Sequence, residues 1–350
     1  QDDDIILTTK NKDTGETETT SNTVTITAEE KGDTANVTLQ DVHIETEGSW
    51  NNTGSAPIEI KGNGDTNLEL NGDNTVLSGD SYHAAIEKAD KNGHGTLTIK
   101  DDLNDDNSTP KDKDENGNAV GRDTGKLLAG GNYAGAGIGG GSSSNDLADT
   151  SNITIKGGEV TARSGYDYSA GIGGGSWGSG SNVTVSGAAQ VTATATGSGP
   201  DWSGVGTGAT IGNGGSKTPD GPVDGKEIQA DISHLTTGYI HHIIYNPDLD
   251  SDGKPDGILK EWWEFALPKP IPDGESLDLH VETLKGAPLL FNTRQQGSTL
   301  RVTTDNLSAR LHGTRQALET LQEQGVEQIQ FVTTLKTTTL SVEDLLAEGG

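Results

Sequence analysis

Apolar and polar residues alternate in short runs along the first two thirds of the chain, at Val37/Leu39, Leu68/Leu70, Leu97/Ile99, Ile153/Ile155 and Val183/Val185. A period of two predicts strands with one face buried. These runs belong to a motif that returns in blocks of about thirty residues: an Asn-led β triplet, then a short Gly-rich strand ending in AGIGGG or a relative of it. The clearest copies are SNITIKGGEVTA (151–162) with AGIGGG (170–175), and SNVTVSGAAQVTA (181–193) with ATIGNGG (209–215). Weaker copies are ANVTLQDVHIET with APIEI, TNLELNGDNTVLSG with AAI, and GTLTIKDD with AGIGGG at 136–141. The anchors Val37, Leu68, Leu97, Ile153 and Val183 lie 31, 29, 56 and 30 residues apart, the long interval holding an acidic insertion at 101–125. Such spacing predicts a solenoid, because one unit alone cannot bury its apolar face and stacking the same strand of successive units does. Ile58, Ile86, Ile138, Ile172 and Ile211 are expected to form one internal column. The flanking glycines are expected to allow positive φ at sharp corners and close approach of neighbouring coils. As a phosphate-cradling loop the motif reads poorly, because no helix-forming segment follows any copy.

The pattern changes near residue 226. Gly and Asn thin out, and IHHIIY, ILKEWWEFALP, SLDLHVETL, STLRVTT, TRQALETLQEQG and VEQIQFVT follow. Thr314 is placed to cap a helix whose Ala317, Leu318 and Leu321 share a face, with Gly325 as its stop. Val326 to Val332 reads as a strand, and SVEDLLAEGG as a short helical turn. The chain thus divides into a mostly β region at 1–226, a parallel β-helix, and a smaller α+β domain at 227–350 that is large enough for its own core. Such a domain is also expected to cap the solenoid's open strand edge.

Composition bears on location and partners. The chain carries 24 basic and 53 acidic residues, a net charge of −29, which argues against nucleic acid or an anionic membrane surface as partner. Fifty glycines, few aromatics, and no Cys or Met fit stability drawn from β ladders between small side chains. Lack of Cys removes disulfides and thiol chemistry and is common in exported proteins of Gram-positive bacteria. No apolar run reaches membrane-spanning length, so any signal peptide or anchor is expected outside this sequence. These features point to an extracellular, secreted or wall-attached protein.

Catalytic chemistry is thin. An enzyme on such a scaffold needs clustered carboxylates beside a base or an arginine, and the repeats offer only Arg122 and Arg163, in different surroundings. The eight histidines are scattered, and the adjacent His241 and His242 point to opposite faces of a strand, where they cannot easily share one metal. Aromatic placement carries more. Of fourteen Trp, Tyr and Phe residues, seven lie in the repeats, none at an anchor or column position. Trp50, Tyr82, Tyr133, Tyr166, Tyr168 and Trp202 each precede their own column isoleucine by four to nine residues, and Trp177 follows one by five. Stacked loops would bring these rings to one edge, where flat aromatic faces beside Asn, Asp and Ser suit sugar rings. The alternative is that they only cover loop backbone and shield the column from water. One calcium candidate stands out: DLDSDGKPDG sets Asp248, Asp250, Asp252 and Asp256 at positions 1, 3, 5 and 9 with Gly253 at 6. Leu259 occupies position 12 in place of the bidentate Glu of an EF-hand, and a plain polar turn is the alternative reading. KDKDENGN in the insertion is a poorer version.

The tandem AGIGGG, SNITIKGGEVTA and SNVTVSG units, over roughly residues 20 to 216, resemble the Gly-rich right-handed parallel β-helix domains of bacterial secreted and cell-surface proteins, including carbohydrate-binding β-helix proteins related in fold to pectate lyases. The resemblance implies extracellular polysaccharide binding, often with calcium as cofactor. The lyase constellation of calcium-binding aspartates beside a catalytic Arg or Lys is not recognisable here. The reading is therefore a non-catalytic polysaccharide- or glycan-binding module, with an adhesin or structural stalk that engages host or matrix protein as the alternative, and a polysaccharide lyase or hydrolase as a third.

Overall fold

The computed structural model describes residues 5–48, 54–103, 112–113, 119–120, 124–165, 168–197, 205–247, 257–265, 279–289, 291–304 and 306–348. The chain is mostly β and forms two compact units, the first holding 1–234 and 238–264, the second 235–237 and 265–350.

Three sheets dominate the first unit. One collects Ile5–Leu7, Thr34–Gln40, Asp65–Asn71, Leu97–Lys100, Ile153–Ile155 and Val183–Val185; a second collects Val24–Thr27, Ile58–Lys61, Ile86–Glu87, Ile138–Gly139, Ile172–Gly173 and Ile211–Gly212. The third runs through His43–Glu45, Asp73–Leu77, Lys126–Gly130, Glu159–Arg163, Gln190–Thr196 and Tyr239–Tyr245 to Ile258–Phe265. From Val24 to Thr196 the chain visits the second, first and third sheets in that order, five times over. Equivalent strands of successive repeats pair in parallel, so identical side chains stack on one another.

The column Ile58, Ile86, Ile138, Ile172 and Ile211 is present as expected, each residue paired with the next and fully buried. The anchor series differs by one step. Leu68 pairs with Ile99, and Leu97 pairs with Thr66, so the apolar column of this sheet is Val37, Leu68, Ile99, Ile155 and Val185. A slip of two residues preserves the alternation of faces, which is why the pattern alone does not detect it. The third sheet contributes Ile44, Val76, Ala129, Ala162 and Ala193, the last three small.

The motif's conserved letters within the repeats have distinct physical jobs. Gly139, Gly173 and Gly212 hold φ of 134°, 135° and 143°, a backbone that a side chain rarely adopts. Gly175 has no such φ, but a Cβ there would run into the carbonyl oxygen of Gly141 in the neighbouring repeat. The leading asparagines bond across repeats: Asn67 donates from Nδ2 to Asn36 Oδ1 at 2.8 Å, and Asn182 to Asn152 at 2.5 Å, the latter two in left-handed backbone with φ of 51° and 60°.

The last strand of the second sheet is met by the segment 226–228, where Ile228 N donates to Ile211 O at 3.0 Å and Gly212 forms an isolated antiparallel bridge with Glu227. In the repeat before, the N–H groups of Gly171 and Ile172 donate to Ala209 and Thr210 of the next. Among the described residues no further strand of this sheet follows Ile211–Gly212, and the Glu227 carboxylate accepts from Thr210 N at 2.6 Å and Ile211 N at 3.1 Å, together with Thr210 Oγ1. The Glu227 carboxylate and the backbone of its segment together cover an edge that would otherwise invite pairing with another chain.

That unit also extends past the composition change at 226. Tyr239–Tyr245 pairs in parallel with Gln190–Thr196 along its whole length, and Ile258–Phe265 lies beside it. His241 stacks on Trp263 at 3.7 Å, while His242 stacks on Trp262 at 4.5 Å and meets Thr210 Oγ1 at 2.6 Å. The two histidines do face opposite ways, as the alternation requires.

The second unit is α+β. A four-stranded sheet orders Asn292–Gln296, Thr299–Thr303, Gln328–Val332 and Thr337–Ser341, and a three-stranded one orders Pro288–Leu289, Leu279–Glu282 and Arg310–Gly313. Thr314 Oγ1 accepts from Ala317 N at 3.1 Å at the start of helix Arg315–Glu323, and Gly325 takes a φ of 77° just beyond it. Leu321, Val281, Leu300, Val302, Val326, Ile329 and Val342 make the core, the last from the short helix Val342–Glu348.

Candidate functional site

Backbone bonds beside the isoleucine column gather the aromatic loops. Ser142 N donates to Tyr82 O at 2.7 Å, Ser176 N to Ala134 O at 2.9 Å, Gly215 N to Tyr168 O at 2.5 Å, and Trp177 N to Gly215 O at 3.0 Å. Each segment leaving a Gly-rich strand therefore returns to the segment entering the equivalent strand one repeat back. Tyr82, Tyr133, Tyr168 and Trp177 lie on one edge of the second sheet as a result.

Their depths differ. Tyr168 is only 4% exposed and receives Tyr133 edge-on, with ring centroids 5.4 Å apart at 88°. That burial leaves little of its ring open to a ligand. Tyr82 and Tyr133 are half-buried. Trp177 is 51% exposed. Both Tyr133 and Trp177 occupy positive φ, 35° and 68°, an uncommon state for a bulky residue that costs on the order of 1–3 kcal/mol. Trp50, Tyr166 and Trp202 lie outside the described residues, as do Asp248, Asp250, Asp252 and Asp256 of the calcium loop, and Arg122. Arg163 ends a strand of the third sheet, beside Gly130 and Thr194.

Behind Tyr82 is a buried ionisable group of residues that sequence reading passed over. Asp80 Oδ1 accepts from Tyr82 N at 2.8 Å; Glu87 Oε2 accepts from Ala84 N at 3.2 Å and meets His83 Nδ1 at 2.9 Å. The two carboxylates fix the path of the loop that carries Tyr82. Burial acts to lower the pKa of His83, but the hydrogen bond and charge of Glu87, with the charges of Asp80 and Glu59, outweigh it and raise the group above its ordinary 6.5. A pKa raised by folding means a contribution to stability that is fully present below the unfolded-state value and is lost as pH rises through the folded-state value. Glu87→Gln removes the main raising partner. Titration of the His83 ring by NMR should give a value above 6.5 in the wild type and a lower one in the variant, and equal values would contradict the assignment.

The second unit brings together His280, Glu282 and His312, with one ligand atom from each within 4.8 Å of the others. Nothing in the sequence spacing singles out this group, because His312 comes from a separate strand whose register the sequence does not reveal. The His-x-Glu alternation at 280–282 was its one legible part.

Searches against protein-family models, curated proteins and solved structures find no match to this chain. The site must be argued from its own chemistry.

Proposed function

We propose that the repeat-bearing unit is a right-handed parallel β-helix serving as a non-catalytic, extracellular polysaccharide-binding module, with Trp177 and the half-buried Tyr82 and Tyr133 on its binding edge. The order in which the chain visits the three parallel sheets supports the β-helix reading, since a repeated circuit of this kind stacks coil on coil. The observation that carries the functional reading is Trp177: an exposed indole on left-handed backbone whose main-chain N–H donates to Gly215 O of the neighbouring repeat, where core packing has no use for it. A flat face of this kind stacks on a sugar ring, and each stacked ring contributes on the order of 1 kcal/mol, so affinity grows with oligosaccharide length. The net charge of −29 disfavours anionic glycans unless calcium, held by Asp248, Asp250, Asp252 and Asp256, bridges them. A protein-binding adhesin is the second reading, because an exposed Trp is equally suited to anchor a protein interface.

Native gels cast with neutral or acidic polysaccharides, with and without calcium, test the proposal. Wild type should be retarded by at least one polysaccharide, and Trp177→Ala should migrate freely with an unchanged circular dichroism spectrum. Equal retardation of both proteins would remove Trp177 from the site.

A further inference from the structure

We propose that His280, Glu282 and His312 form a binding site for a divalent transition-metal ion on the second unit. The site follows from strand register. Leu279–Glu282 pairs antiparallel with Arg310–Gly313, which sets His280 directly opposite His312. His280 and Glu282 are two apart on one strand, so both project from the same face as His312. The imidazole rings stack with centroids 4.9 Å apart and 7° between planes, and His312 Nε2 lies 2.8 Å from Glu282 Oε1. All three ligand atoms fall within 4.8 Å of one another, so modest side-chain rotations bring them round one ion.

Ligand type selects the metal. Two imidazoles and a carboxylate suit Zn²⁺, Ni²⁺ or Cu²⁺, whereas Ca²⁺ and Mg²⁺ prefer oxygen alone. Both histidines are exposed and Glu282 is half-buried, which leaves an approach from solvent and coordination positions open to water or a further ligand. Without an ion, Glu282 is already held by His312 and lies 4.0 Å from Arg310 Nη1, at the limit of an ion pair. That arrangement accounts for Glu282 but not for a second histidine stacked on the first. Arg310, across the strand pair from Glu282, limits the charge the site accumulates with a carboxylate and a dication. The site shares no residue with the aspartate loop or the aromatic edge, so it stands or falls separately from the carbohydrate reading.

Calorimetric titration of the full chain with ZnCl₂ tests it. One ion per chain is expected at this site, and His280→Ala or His312→Ala should weaken it by at least about ten-fold, given that losing even an outer-shell partner of a metal ligand costs that much. His234→Ala, a histidine remote in sequence, should bind as wild type does. Ring NMR of the wild type guards against a variant that fails to fold: Zn²⁺ should shift the His280 and His312 resonances together and ahead of the other histidines. Undiminished binding in both variants, absence of binding to the wild type, or zinc shifts confined to other histidines would each overturn the proposal.

Discussion

Ile172→Asp is expected to destabilise the repeat-bearing unit by roughly 4 kcal/mol or more, enough to abolish its cooperative unfolding transition under conditions where Ile172→Val costs only about 0.5–1.5 kcal/mol. Ile172 is fully buried and is paired on one side with Ile138 and on the other with Ile211. A carboxylate in that column has no donor, since the backbone groups around it are taken by the strands of adjacent repeats. The damage should spread, because in a stacked array each repeat is stabilised mainly by its neighbours. Urea denaturation followed by circular dichroism measures both variants. A tolerated Asp at 172 would mean that the column is open to water.

Gly175→Ala is expected to cost about 2–3 kcal/mol, the scale of overpacking, through a single methyl group. Its Cβ has nowhere to go: the Gly141 carbonyl lies in its path, and that carbonyl belongs to the backbone and cannot swing aside as a side chain does. Gly48→Ala is the control. Gly48 is exposed and its added Cβ would meet only Gly79 O at 3.5 Å, an ordinary contact, so this change should stay within about 0.5 kcal/mol. Loss of unfolded-chain entropy on changing Gly to Ala acts in the stabilising direction, so similar results for the two variants would contradict the close packing of repeats at Gly175.

The parts of the fold that were legible in the sequence are those in which one chemical type recurs at one register. Ile138, Ile172 and Ile211 are each followed directly by a glycine, which marks the alignment of the column at its last three positions. The anchor column lacks such a marker between Leu68 and Ile99, and with a period of two, Leu97 satisfies the pattern as well as Ile99 does. The third sheet's Ala129, Ala162 and Ala193 are too small to register as an apolar alternation, although they complete the interior. At the end of the stack, composition misleads. Tyr239–Tyr245 loses the Gly and Asn of the repeats yet extends their sheet, because its final position calls for larger rings that cover the last alanine column.

For the candidate site, phase along the chain located the aromatic edge but not the depth of each ring. Tyr168 and Trp177 come from the same repeat, one before and one after Ile172, and the first is buried while the second stands in solvent. Tyr168 packs against Tyr133 of the preceding repeat, a tertiary contact that the phase along the chain does not reveal. The His280, Glu282 and His312 cluster was less legible still, since it depends on pairing two strands thirty residues apart.

Binding of the intact wild-type chain to a broad polysaccharide and oligosaccharide array, in the presence and absence of calcium, tests the central claim most directly. The account predicts retention on at least one glycan class, with signal rising as the oligosaccharide lengthens along the edge defined by Tyr82, Tyr133 and Trp177. Absence of binding to every glycan in both conditions, from a chain whose circular dichroism shows the β structure intact, would contradict it and leave the protein-binding adhesin reading in its place.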